Sequence, residues 1–210
     1  MAAPACKRVM EKKICVHIIV DMLYDFIDGS LACENGEKAA LKAVAYINKH
    51  PEQRVLYVCD HHPSDHCSFK RNGGIWPPHC VRNTHGGAVH KAFSEGVQIP
   101  ANRPGKENKF YKGCNPRKEQ YSGYEAVSAA GKSLGRAIKE AARDADCNGT
   151  IFVAVSGIAT EFCVKATVLD LLKNGYGVEL LENALAWVTK KAHGETLKEL
   201  ESKKVTMIHV

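Results

Sequence analysis

The sequence predicts an α/β fold: three layers, αβα, around a mostly parallel central sheet. Three observations carry that prediction. Short apolar runs rich in β-branched residues, such as "ICVHIIVD" and "TIFVAVSG", recur along the chain. Segments with apolar residues at helical spacing alternate with them, as crossover connections in a parallel sheet require. At 210 residues the chain has the length of one α/β domain with a real core.

Taken in order, Ile14–Asp21 reads as a buried strand. Glu37–Lys49 reads as a helix, with Ala40, Leu41, Val44 and Ile47 at helical spacing. "RVLYVCD" (54–60) is a second strand. An irregular stretch of roughly 50 residues follows, rich in Gly, Pro, His and Asn, far longer than most connections and so expected to carry function. "KFYKG" (109–113) is a short strand, Leu134–Asp144 a helix and "TIFVAVSG" (150–157) a strand. Phe162–Asn174 is a helix ended by Gly175. "GVELL" (177–181) is a strand, Lys190–Lys203 a helix, and "VTMIHV" (205–210) a closing strand. Residues 1–13 are expected to form a flexible N-terminal extension ahead of a single domain over 14–210.

Composition narrows the function classes. A hydrophobic fraction of 45% and a charged fraction of 25% are those of an ordinary soluble globular chain. The net charge of +6 is scattered rather than gathered in a basic block, which argues against nucleic-acid binding. No apolar run reaches membrane-spanning length, and "MAAPACKRVMEKK" lacks the apolar core of a secretion signal. The nine cysteines are then expected to be reduced and the protein cytoplasmic. A homo-oligomer is left open.

In an open parallel sheet, ligands bind beyond the carboxyl ends of the strands. Asp21 closes the first strand, Asp60 the second and Lys112 the "KFYK" segment, while Cys163 follows the fourth strand across a short turn. A thiol in the first turn of a helix lies among unpaired N–H groups, in a field that favours thiolate. Those N–H groups would also stabilise an oxyanion. A small buried hydrophobe is an equally good reading of Cys163 from position alone. Asp21 as a proton acceptor and Lys112 as a cation would tip the balance toward a nucleophile.

The segment "CDHHPSDHCSFKRNGGIWPPHC" holds a second constellation. Asp60 and His62 are two apart, so on extended chain they face the same way. With His79 they make one carboxylate and two imidazoles, a divalent-metal set that leaves positions open. His66 is either a fourth ligand or a supporting group. A structural zinc site built on Cys59, Cys67 and Cys80 is the rival, although their spacing matches no finger or ribbon. His61, His85 and His90 read as exposed residues of a polar loop.

Six segments in order carry a resemblance: "VDMLYDF" (20–26), "DHHPSDHCSF" (60–69), "WPPHC" (76–80), "FYKG" (110–113), "YSG" (121–123) and "GIATEFCV" (157–164). The chain resembles the isochorismatase-like cysteine hydrolases, and among them the nicotinamidase (pyrazinamidase) branch, from about Ile14 to the C-terminus. The resemblance implies the isochorismatase-like hydrolase fold and a metal-dependent amidohydrolase that converts nicotinamide to nicotinate and ammonia in NAD salvage. It implies small-molecule substrates, nicotinamide and pyrazinamide-like amides, and no nucleic-acid or membrane partner. Asp21, Lys112 and Cys163 match the family's catalytic triad. Asp60, His62 and His79 match its ligands for one divalent ion, zinc first, with manganese or iron as alternatives. The Ile158-Ala159 bond matches a cis peptide, and the backbone N–H groups of Ala159 and Cys163 match an oxyanion hole. Phe26, Trp76 and Tyr121 match aromatic positions around the substrate ring; plain core packing competes, most strongly for Phe26.

Two departures bear on substrate preference. Leu23-Tyr24 stands where the family usually has Gln-Asn, and His61 where an aromatic residue usually separates the metal ligands. A related hydrolase of another small amide and a catalytically silent scaffold are the alternatives.

Overall fold

The structure is a computed structural model and describes residues 13–147 and 149–210. The flexible extension expected over 1–13 lies, Lys13 apart, outside the described residues.

Six strands form one sheet: β1 (Ile14–Val20), β2 (Arg54–Asp60), β3 (Lys109–Lys112), β4 (Phe152–Gly157), β5 (Gly177–Leu185) and β6 (Thr206–Ile208). Their order is β3-β2-β1-β4-β5-β6, and every neighbouring pair is parallel. Side chains alternate across a strand. Along β1, Val16, Ile18 and Val20 enter one apolar cluster and Ile19 the other. Both faces are therefore buried, which is why the central strands read as continuous apolar runs. All four of these residues are essentially inaccessible, each worth about 1.5–3 kcal/mol of burial.

Helices complete the two outer layers. Helices α1 (Tyr24–Ile27), α2 (Gly36–Lys49) and α3 (Lys91–Gly96) cover one face, through Phe26, Ala43, Ile47 and Phe93. Helices α4 (Leu134–Asp144), α5 (Lys165–Lys173) and α6 (Lys190–Ser202) cover the other, through Ile138, Val168 and Leu200. The Ser133 side chain accepts from the Arg136 N–H to cap α4, and the Thr189 side chain caps α6 through the Ala192 N–H. Gly175, at φ 82°, ends the chain of turns after α5 where only a left-handed residue fits. No helix among the described residues is long and apolar enough to cross a membrane.

Four elements differ most from the expectation. Strand β5 continues to Leu185, four residues beyond the apolar run, because Gly157 pairs with Leu185 after a register shift. Helices α1 and α3 fall where the sequence carries too few periodic positions to announce them. The helix expected over Phe162–Asn174 begins instead with a wide π-type turn, Thr160–Val164, closed by Val164 N–H to the Ala159 carbonyl at 3.2 Å.

Candidate active site

The strand order reverses between β1 and β4, and the crevice at that switch point opens at their carboxyl ends. Asp21 stands one residue past β1 with φ 51°. Its N–H donates to the Val58 carbonyl at 2.9 Å, and its Oδ1 accepts from the Asp60 N–H at 2.8 Å. The carboxylate is thus pinned across the ends of β1 and β2. Asp60 and Lys112 are the last residues of β2 and β3 and pair in register, which brings carboxylate and ammonium together.

Lys112 is 1% exposed and is no solvated charge. Its Nζ lies 2.9 Å from Asp21 Oδ2, 2.5 Å from Asp60 Oδ1 and 3.3 Å from Cys163 Sγ. Asp21, Asp60 and Cys163 offer atoms within 4.8 Å of one another. One cation therefore holds two carboxylates and a sulfur. Removing it would leave buried anions without a partner, a cost of several kcal/mol.

The electrostatics assign different states to the two carboxyls. Burial and the neighbouring Asp60 push Asp21 up to about 6, against the pull of Lys112. Burial also acts on Asp60, but Lys112 and His62 outweigh it and hold that carboxyl well below the usual range. Burial would lower Lys112, and the Asp21, Asp60 and Cys163 charges reverse this and raise it well above the ordinary lysine value. The expectation of a lowered thiol is corrected here. Cys163 is fully enclosed inside the π-turn, and burial pushes it well above an ordinary thiol; Lys112 opposes this while Asp21 and Asp60 add to it. Burial outweighs the pull of Lys112 at the sulfur, so ionising it calls for a proton acceptor. Asp21, whose Oδ2 is ion-paired with Lys112 at 2.9 Å, is the carboxylate beside the sulfur that could take that role.

The metal-ligand candidates also converge. Asp60, His62 and His79 offer atoms within 4.8 Å of one another, all buried. His62 Nδ1 contacts the Gly113 carbonyl at 2.9 Å, and His79 Nδ1 contacts the Pro77 carbonyl at 2.8 Å. A carbonyl only accepts, so each Nδ1 carries a proton, which leaves Nε2 as the nitrogen a metal ion would take. His62 Nε2 lies 3.3 Å from Asp60 Oδ2. This donor set fits a divalent ion. His66 is in the opposite state: its Nδ1 accepts from the Ser68 N–H at 3.2 Å, so its Nε2–H donates to the Lys118 carbonyl at 3.2 Å. Both nitrogens are occupied, and His66 supports His62 by ring contact at 4.1 Å instead of offering a ligand atom. Cys59, Cys67 and Cys80 belong to no metal-competent group among the described residues. His90, expected on an exposed loop, is buried and caps α3 by accepting from the Ala92 N–H.

Above these groups lies a narrow cavity, open at its mouth. Phe26, Trp76 and Tyr121 line it, as expected, together with Ala159 and Cys163. Phe26 is also core, being 6% exposed, and its ring lies 5.4 Å from that of His79. Phe162 was not anticipated. It meets Trp76 edge-on at 5.2 Å and Tyr121 at 5.6 Å, closing an aromatic wall. Its position beside Cys163 was the available signal, hidden by the wide turn that rotates it toward the cavity. The Ile158-Ala159 peptide is cis, and the Ala159 N–H has no protein acceptor among the described residues.

Comparison with known proteins matches this arrangement to one lineage. The isochorismatase domain profile matches residues 15–210. The chain belongs to the isochorismatase family. Among its relatives is the nicotinamidase/pyrazinamidase of Mycobacterium tuberculosis, 30% identical over 91% of this chain and 96% of that protein. Among solved structures, the pyrazinamidase of Pyrococcus horikoshii in complex with zinc superposes with a TM-score of 0.73 at 33% identity, covering 93% of this chain and 98% of that one. PnC1 from L. infantum, solved with nicotinate, gives a TM-score of 0.73 at 31% identity, covering 93% and 92%.

Proposed function

We propose that the chain hydrolyses nicotinamide to nicotinate and ammonia, and accepts pyrazinamide-like amides, as a step of NAD salvage. One observation carries the reading: the Lys112 ammonium touches Asp21, Asp60 and Cys163 at the floor of an aromatic cavity, with His62 and His79 gathered around Asp60. The activities named for the relatives from M. tuberculosis and P. horikoshii support the choice of substrate.

The flat ring enters between Phe26, Trp76, Tyr121 and Phe162, which exclude water from the carboxamide. Asp21 takes the proton from Cys163 Sγ as the sulfur bonds to the carbonyl carbon. The carbonyl oxygen becomes an oxyanion held by the N–H groups of Ala159 and Cys163, each such donor being worth about 10²–10³ in rate. Asp21 returns its proton to the amide nitrogen, the C–N bond breaks and ammonia leaves. Water then attacks the thioester, Asp21 receiving its proton and passing it to the departing sulfur. Lys112 holds sulfur and carboxylate in reach throughout and offsets whichever of them is anionic. Asp60, His62 and His79 would hold the divalent ion, zinc by analogy with the P. horikoshii structure. When bound, it supplies a Lewis acid for a ring nitrogen and so fixes the substrate's orientation.

Ammonia release from nicotinamide by purified protein, with metal content measured on the same sample, tests the proposal. Nicotinamide should lead a panel of small amides. Release confined to a non-aromatic amide would overturn it.

A further inference from the structure

Gln120 touches none of the reacting atoms, yet it reaches both halves of the site. It lies on the cavity wall between Glu119 and Tyr121. Its Oε1 accepts from the Gly113 N–H at 3.0 Å, and its main-chain carbonyl accepts from Lys112 Nζ at 3.5 Å. On the other side of the Gly113 Cα, in the next peptide unit, the Gly113 carbonyl accepts from His62 Nδ1–H at 2.9 Å.

Gly113 cannot be replaced by a self-supporting residue. It sits at φ 64°, and a Cβ there would lie 2.4 Å from His62 Cε1 and 2.6 Å from Nδ1. A bare glycine pressed against an imidazole is also the freest backbone a chain can have. Cys114 and Asn115, which follow it, are exposed. The Gln120 amide and the His61 N–H, which donates to the Lys112 carbonyl at 2.9 Å, hold the two ends of the peptide that precedes Gly113, and from that anchored plane the Gly113 carbonyl takes its aim at His62 Nδ1.

We propose that Gln120 is a positioning residue that fixes the direction of His62 through Gly113, and thereby the affinity for the divalent ion. This rests on the reading of His62 as a ligand. Partners that orient ligating histidines are typically worth about 10–100-fold in metal affinity.

The test is Zn²⁺ affinity by competition with a chromogenic chelator, alongside thermal unfolding of the metal-stripped protein, for Gln120→Ala, Gln120→Glu and His62→Ala. Gln120→Ala should bind Zn²⁺ about tenfold or more weakly. Gln120→Glu, which keeps the acceptor oxygen, should restore the affinity, and the stripped variants should melt with the stripped wild type. Wild-type affinity in Gln120→Ala, with His62→Ala impaired, overturns the inference alone. Wild-type affinity in His62→Ala overturns the ligand reading beneath it. Loss of melting temperature in stripped Gln120→Ala equal to that in the loaded variant would reduce Gln120 to a structural part and overturn the inference as well.

Discussion

Two buried polar clusters ride on the same pair of strands, and they behave oppositely. Midway along β1 and β4, His17 meets Ser156 at 2.9 Å, with the Tyr46 ring edge-on at 5.0 Å. No carboxylate pairs with that imidazole, and burial drives its pKa down to about 3, so it is neutral at pH 7. At the carboxyl ends of the same strands, Asp21 and Cys163 are equally buried, but Lys112 stands between them. Burial alone neutralises a group; burial beside a fixed countercharge keeps charge available for chemistry. The site depends on that single cation more than on the individual acidity of its thiol.

Four measurements sharpen the contrast, beginning with the largest effect. Cys163→Ala should lower turnover by about 10⁴-fold or more. Its melting temperature should stay within about 3 °C of wild type, since little apolar volume is lost. Lys112→Met should cost about 3–5 kcal/mol in chemical denaturation, because two buried carboxylates lose their partner, and should abolish turnover too. Ser156→Ala, made in the neutral cluster, should cost only about 1–3 kcal/mol and leave kcat unchanged. A larger stability loss from Ser156→Ala than from Lys112→Met would break the comparison.

The smallest effect concerns pH. His17 binds a proton in the unfolded chain below its ordinary value of 6.5 but in the folded chain only near 3. The unfolded state therefore binds more protons in that window. The stability His17 contributes is whole above pH 6.5 and is lost as pH falls toward 3. His17→Gln should flatten the difference in urea stability between pH 7.5 and pH 4.5. An unchanged acid slope would show that His17 does not titrate as its burial dictates.

Much of this architecture is legible in the amino-acid order because the parallel sheet buries both faces. Arg54–Asp60 and Leu134–Asp144 have the bounds that apolar runs and helical spacing indicate. The site residues were also readable, since Asp21, Asp60 and Lys112 each end or follow a strand. What periodicity does not record is how a short turn rotates its side chains. The π-turn at Thr160–Val164 encloses Cys163 and turns Phe162 into the cavity, and neither follows from helical spacing. The thiol was misjudged for a related reason: a helix terminus is visible in sequence, whereas desolvation depends on everything packed around the sulfur. Gln120 bonds Gly113 across a loop and His90 caps α3 from two residues away, and neither contact carries a sequence period.

The most direct test of the central claim is acyl transfer to hydroxylamine during turnover of nicotinamide. A thioester on Cys163 would be intercepted, so nicotinohydroxamate should replace nicotinate as hydroxylamine rises, with ammonia release undiminished and neither product formed by Cys163→Ala. Nicotinate as the sole product at every hydroxylamine concentration would mean that water attacks the amide directly, and would contradict the account.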